Sequence, residues 1–428
     1  MNNIKKMCAS KVIEMCAKMR FSVHHNLLLM ILILILFTGC ATFNAQKVGP
    51  TTMMKAQEEI FEEQLLDVGI IVFESDKITQ EQAKEEHTSQ EIRKAERHFM
   101  PYHLKNTLQQ SSYWGAVRVL PSETESIDVL VKGKVLESNG EHLILQIDVM
   151  DATRKTWFSK KYKSEATLAL YSENRAGEKD VYQDLYNTIS NDMATYLMKS
   201  PPEKIKKIRT VSKLKFAQDF APSVYDGYLT KDKKDLIAVN RLPADGDTIM
   251  IRLLKIRERE YMYVDTLNEF YEEYYANMWS SYENWRKLNY EEIKAIKKIE
   301  RNALNQKLVG MLLLAGAIAL NAGEVKNTGA LQMGMILIGG QVIVNGFNVT
   351  KEAEIHSAAI KELSESFGSE MQPVVMEFEG KQYELTGSAE EQFKHWRELL
   401  RQIYITETGF DPDISLEHRE KITSEDSE

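Results

Sequence analysis

Hydrophobic positions along this chain follow two regimes. Up to about residue 200 they come in short β-branched or alternating runs, and from about residue 246 they recur every three or four positions. In the first regime Leu65–Ser75 (LLDVGIIVFES) has the character of a strand buried on both faces. Glu91–Gln110 predicts a helix interrupted or kinked at Pro101, because proline removes a backbone donor and crowds the preceding turn. Ala116–Leu120, Ile127–Leu136, His142–Asp151 and Thr156–Ser164 are four further strand candidates. Glu137-Ser138-Asn139-Gly140 predicts a hairpin between two of them, since Asn-Gly tolerates the positive φ of a tight turn. Tyr182, Leu185, Tyr186, Ile189, Met193 and Leu197 fall at helical spacing and predict a helix over Val181–Leu197, stopped by Pro201-Pro202.

After a mixed stretch over 201–245, with a strand-like piece at Leu236–Val239, no proline occurs between Pro243 and Pro373. Leu267, Phe270, Tyr274, Met278, Ser281, Trp285, Leu288, Glu292, Ile296 and Ile299 step by three or four and predict one long helix. Its aromatic stripe reads first as core and second as a binding face for glycan, peptide or lipid headgroup. Leu308–Gly323 and Gly329–Val349 are uncharged and glycine-rich, and the polar stretch Glu324–Thr328 separates them. Ala315/Ala319, Ala319/Gly323 and Ala330/Gly334 have small-xxx-small spacing, and Gly310, Gly316, Gly339, Gly340 and Gly346 add small surfaces. Such faces let helix backbones approach closely. Two readings stand: a hairpin packed in a helical core or oligomer, and one that enters a membrane. Further on, Val374–Phe378 and Gln382–Leu385 predict a β-hairpin, and Ser388 with Glu391 forms a capping box opening a helix that Gly409 and Pro412 stop.

The predicted class is therefore α+β. An N-terminal antiparallel α+β sandwich over 61–200 is followed by the mixed linker and by a long helical region over 246–410. That region holds the apolar hairpin 308–349 and the small C-terminal β-hairpin and helix, and residues 411–428 form a polar, disordered tail.

Leu27–Phe37 is an apolar run of eleven residues, the length of a signal h-region and short of a bilayer span. Phe37, Thr38 and Gly39 before Cys40 resemble the lipobox of bacterial lipoproteins, with Phe37 in place of the usual Leu. The resemblance implies cleavage before Cys40 and diacylglycerol and N-acyl chains on that residue, with residues 1–39 as signal peptide and 40–60 as lipidated tether. A plain cleaved signal and a short N-terminal anchor are the alternatives, and Met19 is an alternative start. The resemblance further implies the outer membrane and a periplasmic face, because Ala41 stands where that class carries an Asp for inner-membrane retention.

The strand, helix, strands, helix order over about 65–198 resembles the small domain of several envelope lipoproteins. These are the curli-secretion-channel lipoprotein, the activators of penicillin-binding proteins, and the N-terminal domain of the Tol–Pal β-propeller protein. It implies protein contacts or ring assembly in the envelope and carries no catalytic residues over. A ferredoxin-like or other split α/β unit has the same element order.

Charge and chemistry narrow the function. The chain has 428 residues, a formal net charge of −9 and three cysteines, Cys8, Cys16 and Cys40. Residues 1–39 contain five lysines and arginines and one glutamate, so the remainder carries −13, which argues against a nucleic-acid partner. With Cys40 alone left, no disulfide framework or cysteine zinc site can form. No phosphate loop, H-E-x-x-H or G-x-S-x-G motif occurs. His98 and His103, with Glu96 nearby, are five apart on a helix and read as exposed residues rather than metal ligands. Glu269, Glu272, Glu273 and Glu283 read as a solvated face. No catalytic residue, metal or cofactor is expected beyond the lipid on Cys40. The leading expectation is a non-enzymatic, lipid-anchored envelope protein whose partners are the membrane, envelope proteins or further copies of itself. The alternatives are a secretion or pore-forming component whose hairpin enters the membrane, and an envelope hydrolase without a recognisable motif.

Overall fold

The computed structural model describes residues 45–124, 126–172, 179–320, 355–365, 373–378 and 381–409, with backbone alone at 300, 303–320, 378 and 381. Its strands are β1 (Gln46–Lys47), β2 (Val68–Ile71), β3 (Glu74–Ser75), β4 (Val117–Leu120), β5 (Val129–Ser138), β6 (His142–Asp151), β7 (Thr156–Glu165), β8 (Leu229–Lys231), β9 (Ile237–Val239), β10 (Val374–Phe378) and β11 (Lys381–Leu385). Its helices are α1 (Gln80–Glu85), α2 (Gln90–Gln110), α3 (Gln183–Met198), α4 (Pro202–Phe220), α5 (Pro222–Tyr225), α6 (Thr248–Leu320), α7 (residues 355–365) and α8 (Ala389–Thr408). The class is α+β.

Leu65–Ser75 yields two short strands rather than one, and Pro101 is the reason. α2 passes through Pro101 as a single helix, which corrects the expected interruption. Lacking an N–H, the proline leaves the Arg97 carbonyl without its helical donor. The Phe73 N–H takes that carbonyl at 3.0 Å, and Arg97 Nε donates to the Phe73 carbonyl at 3.1 Å. Those bonds remove Phe73 from the ladder between β2 and β3.

Sheet order is β1-β7-β6-β5-β2-β4, with β3 also on β5. Pairing is antiparallel for β5/β6 and β6/β7 but parallel for β2/β4, β2/β5, β3/β5 and β1/β7. The expected all-antiparallel sheet is thus mixed, because α2 is a crossover that brings β4 back beside β2 in the same direction. One core joins Val68, Ile70, Val131, Leu145 and Ile147 of the sheet to Phe99 of α2, Ile189 of α3 and Met278 of α6. The other joins Val119, Leu120 and Leu130 to Phe216 of α4, Leu267 of α6 and Trp396 of α8.

The stretch 201–245, expected as a mixed linker, contributes α4 to both cores. Pro202 sits in the first turn, and Ile205, Ile208, Val211 and Leu214 are buried at helical spacing.

α6 runs for 73 residues, about 110 Å at ~1.5 Å per residue, and contributes to both cores. On its way it covers the free edge at β4. The Asn268 side-chain amide accepts from the Val119 N–H at 2.8 Å and donates to the Val119 carbonyl at 2.9 Å, as a neighbouring strand would. Beside it, Arg118 binds Asp265 through both Nε and Nη2. The capping box at Ser388 and the left-handed cap at Gly409 bound α8 as expected.

Candidate functional site

A cleft of about 1010 Å³ opens between residues 50–55, α2, α3 and α6. Its floor is a hydrogen-bonded chain centred on His103 of α2, which is buried. The Tyr275 hydroxyl meets His103 Nδ1 at 2.6 Å, and His103 Nε2 meets Gln183 Oε1 at 2.9 Å. Gln183 Nε2 then donates to Thr107 Oγ1 at 3.1 Å and to Asn187 Oδ1 at 3.0 Å. The amide oxygen can only accept, so the ring proton sits on Nε2 and Nδ1 receives the tyrosine proton. Burial, followed by the nearby Arg286 guanidinium, lowers the His103 pKa against the opposing pull of Asp180 and Gln183 and favours the neutral ring.

The chain continues into the N-terminal segment. Asn187 Nδ2 donates to the Thr51 carbonyl at 2.8 Å, Thr51 N–H donates to Asp184 at 3.1 Å, and Met54 N–H donates to Asn191 at 2.7 Å. With β1 on β7, these bonds fasten residues 46–54 along the body. Residues 46–54 of the expected tether over 40–60 are therefore laid down on the domain.

Behind the cleft, Arg286 donates to Asp180 at 2.7 Å with both side chains almost fully buried. Burial alone would raise the Asp180 carboxyl, but Arg286 and then His103 outweigh it and hold the pKa below the ordinary value. Glu96 is likewise buried. It accepts from Ser138 Oγ at 2.5 Å, Tyr282 OH at 2.7 Å and Arg93 at 3.3 Å, and burial, opposed by these partners, raises its pKa. The reading of His98 and His103 as exposed is corrected: His103 is buried, and His98, only partly exposed, is pushed down to about 4 by burial and by Arg97. Their neighbours on α6 are aromatic, so the two rings pack rather than face solvent. Among the described residues no group of three or more His, Cys, Asp or Glu side chains is placed to hold a metal ion.

In this arrangement His103 cross-links α2, α3 and α6 with both nitrogens engaged. The rim mixes Lys55, Lys179, Asp184 and Glu272 with the partly exposed rings of Tyr275 and Trp279. The aromatic stripe of α6 thus divides. Tyr263, Tyr271, Tyr274, Tyr282, Trp285 and Tyr290 are core, while Tyr275 and Trp279 line the cleft. Glu269, Glu272 and Glu273 are exposed, as a solvated face requires, whereas Glu283 is only partly exposed.

A second polar site lies where α6 crosses the β5–β6 turn. Gly140 has φ +80°, and a Cβ there would collide with the Arg286 carbonyl of α6. Around it, Asn289 Nδ2 donates to the carbonyls of His87 at 2.5 Å and Asn139 at 2.8 Å, and the Tyr171 hydroxyl donates to the Gly140 carbonyl at 2.6 Å. Lys294, at 2.8 Å, and Lys297 close on Glu141. Burial would raise the Glu141 carboxyl, but the two lysines outweigh it and hold it at about 2.

Phe37, Thr38, Gly39, Cys40 and Ala41 lie outside the described residues, as do Gly323, Ala330, Gly334, Gly339, Gly340 and Gly346. Gly310, Ala315, Gly316 and Ala319 fall on the last turns of the α6 backbone, so Leu308–Leu320 continues the long helix rather than starting a new one. Among the described residues no helix is long and apolar enough to cross a membrane.

No protein-family model and no curated protein match the chain. Among solved structures it is similar to a PelC dodecamer from Paraburkholderia phytofirmans, at 11% identity and a TM-score of 0.20 over 34% of this chain and 94% of that one. A likeness at that level carries no argument about activity or assembly.

Proposed function

We propose that this chain is a non-enzymatic, lipid-anchored envelope protein, held at the outer membrane through Cys40 and facing the periplasm, where it serves as an assembly or interaction component. The observation that carries the reading is the fastening of residues 46–54 to β7 and α3, which fits a body held close behind a lipidated Cys40. Phe37-Thr38-Gly39-Cys40 supplies the cleavage and lipidation signal, and Ala41 fits outer-membrane sorting. The engaged nitrogens of His103 support a binding or structural role for the cleft over proton transfer. Labelled palmitate should enter the wild-type chain and not Cys40→Ser, and crosslinking of the purified lipidated protein should give an oligomer ladder. An unlabelled chain sinks the anchor, and a strictly monomeric species at micromolar concentration sinks the assembly role.

A second reading is favoured by the continuity of α6 with Leu308–Leu320. In it the protein is a secretion or pore-forming component whose glycine-rich segments enter the bilayer. Retention of the Cys40→Ser chain in carbonate-washed membranes, lost on deleting 308–349, would favour it.

A further inference from the structure

A local excess of positive charge lies at one end of the sheet in this acidic chain. The β6–β7 turn with the first residues of β7 (152–161), the α3–α4 corner with the start of α4 (199–209), and the β8–β9 hairpin (229–237) together hold twelve lysines and arginines against three acids, in a chain of net charge −9. Tertiary contacts bring these segments together around Trp157. On one side Trp157 stacks on Tyr196 of α3 at 4.5 Å, and Lys204 of α4 lies 4.3 Å over the same tyrosine. On the other, the Ile237 N–H of β9 donates to the Thr153 carbonyl at 3.0 Å, and Arg154 pairs with Asp235. Lys160 is neutralised by Asp192, but Lys155, Lys199, Lys206, Lys207, Lys233 and Lys234 are exposed. Met198 stands at the same corner, 54% exposed.

The described chain begins on the side toward this end. β1 is parallel to β7, with Gln46 opposite Tyr162 and Lys47 opposite Lys163, so Ala45 lies on the Lys161 side. Five residue steps separate Cys40 from Ala45, at most about 18 Å of chain at ~3.6 Å per residue. A lipid on Cys40 would therefore hold the basic end near the bilayer.

We propose that the basic end formed by the β6–β7 turn, the α3–α4 corner and the β8–β9 hairpin docks on an anionic phospholipid surface, with Met198 inserted among the headgroups. The proposal rests on the lipid-anchored reading for its choice of partner. Lysines a few ångströms from anionic headgroups attract them within the Debye length, so the contact is salt-sensitive, and it orients the body instead of leaving it to swing from its lipid.

The test uses the full mature chain carrying Cys40→Ser, unlipidated, with and without residues 308–349. Each is floated with vesicles of phosphatidylglycerol and phosphatidylethanolamine, or of phosphatidylcholine alone. Both should bind the anionic vesicles, at least tenfold less to neutral ones or in 0.5 M salt. The triple variant Lys199→Glu/Lys206→Glu/Lys207→Glu should lose binding tenfold or more with an unchanged circular dichroism spectrum. Equal binding to both vesicle types, unchanged binding of the triple variant, or tighter binding to soluble heparin than to anionic vesicles would overturn the lipid assignment. Palmitate labelling keeps the two claims apart. Acylated wild type without vesicle binding refutes the docking surface alone, whereas vesicle binding without acylation supports the surface and refutes the anchor.

Discussion

The two stretches of α6 are held in different ways. From Leu253 to Ile293 its buried face enters both cores and is pinned by Asn268 on Val119, by Arg286 on Asp180 and by Tyr282 on Glu96. After Ile293 the described side chains become partly or fully exposed, and Lys294 and Lys297 on Glu141 are the last ties from helix to body that the described residues contain. Yet α7 returns to the first core through buried Ile360. The difference teaches that one helix can serve as scaffold along its first two thirds and as a carrier beyond. The glycine-rich sequence falls in the carrier part.

The strongest way to break this comparison is to remove Arg286, which leaves Asp180 charged and unpaired in the core. Arg286→Ala should cost about 3–5 kcal/mol in urea unfolding. A loss under about 1 kcal/mol would mean the first stretch is not pinned as described. Next is Gly140→Ala, which meets both the positive φ and the α6 backbone. It should cost about 2–3 kcal/mol and loosen the helix from the β5–β6 turn, seen as faster amide exchange over 286–297.

Glu141→Gln sharpens the contrast. Because its lysine partners are partly exposed, it should change global stability by less than about 1 kcal/mol while raising exchange beyond residue 290. The same latch gives a pH effect of known sign. The folded carboxyl sits at about 2, below its ordinary value near 4.5, so its contribution is complete above about pH 4.5 and drains away as pH falls toward 2. Wild type should show that acid loosening beyond residue 290, and Glu141→Gln should lack it. Smallest of all, deletion of 308–349 with a short linker should leave the thermal midpoint of the body within about 2 °C, since the described members of both cores lie outside that stretch.

Local rules were legible wherever backbone chemistry decides locally. Asn139-Gly140 announced its hairpin, Ser388 and Glu391 their capping box, and the three-to-four stripe the long helix. What the sequence could not display is pairing across distance. Glu96, Asp180 and Arg286 look like ordinary helix and loop charges until α6 is laid against α2 and the turn before α3, and Asp180 and Arg286 lie 106 positions apart. Pro101 looks like an interruption in sequence because its consequence depends on Phe73, a residue outside the helix, taking the orphaned carbonyl. α4 is hard to see in sequence despite Pro202 at its first turn and apolar steps of three, because its lysines dilute the stripe. The cleft is a product of packing: His103 gains its meaning from Tyr275 and Gln183.

The most direct test of the account is the membrane partition of the mature chain carrying Cys40→Ser behind a cleavable non-lipid signal, beside the same chain lacking 308–349. The account predicts that carbonate at alkaline pH releases both, because lipid supplies the stable anchor and the basic surface only orients. Retention of the first with release of the second would contradict it and make the glycine-rich stretch a bilayer element.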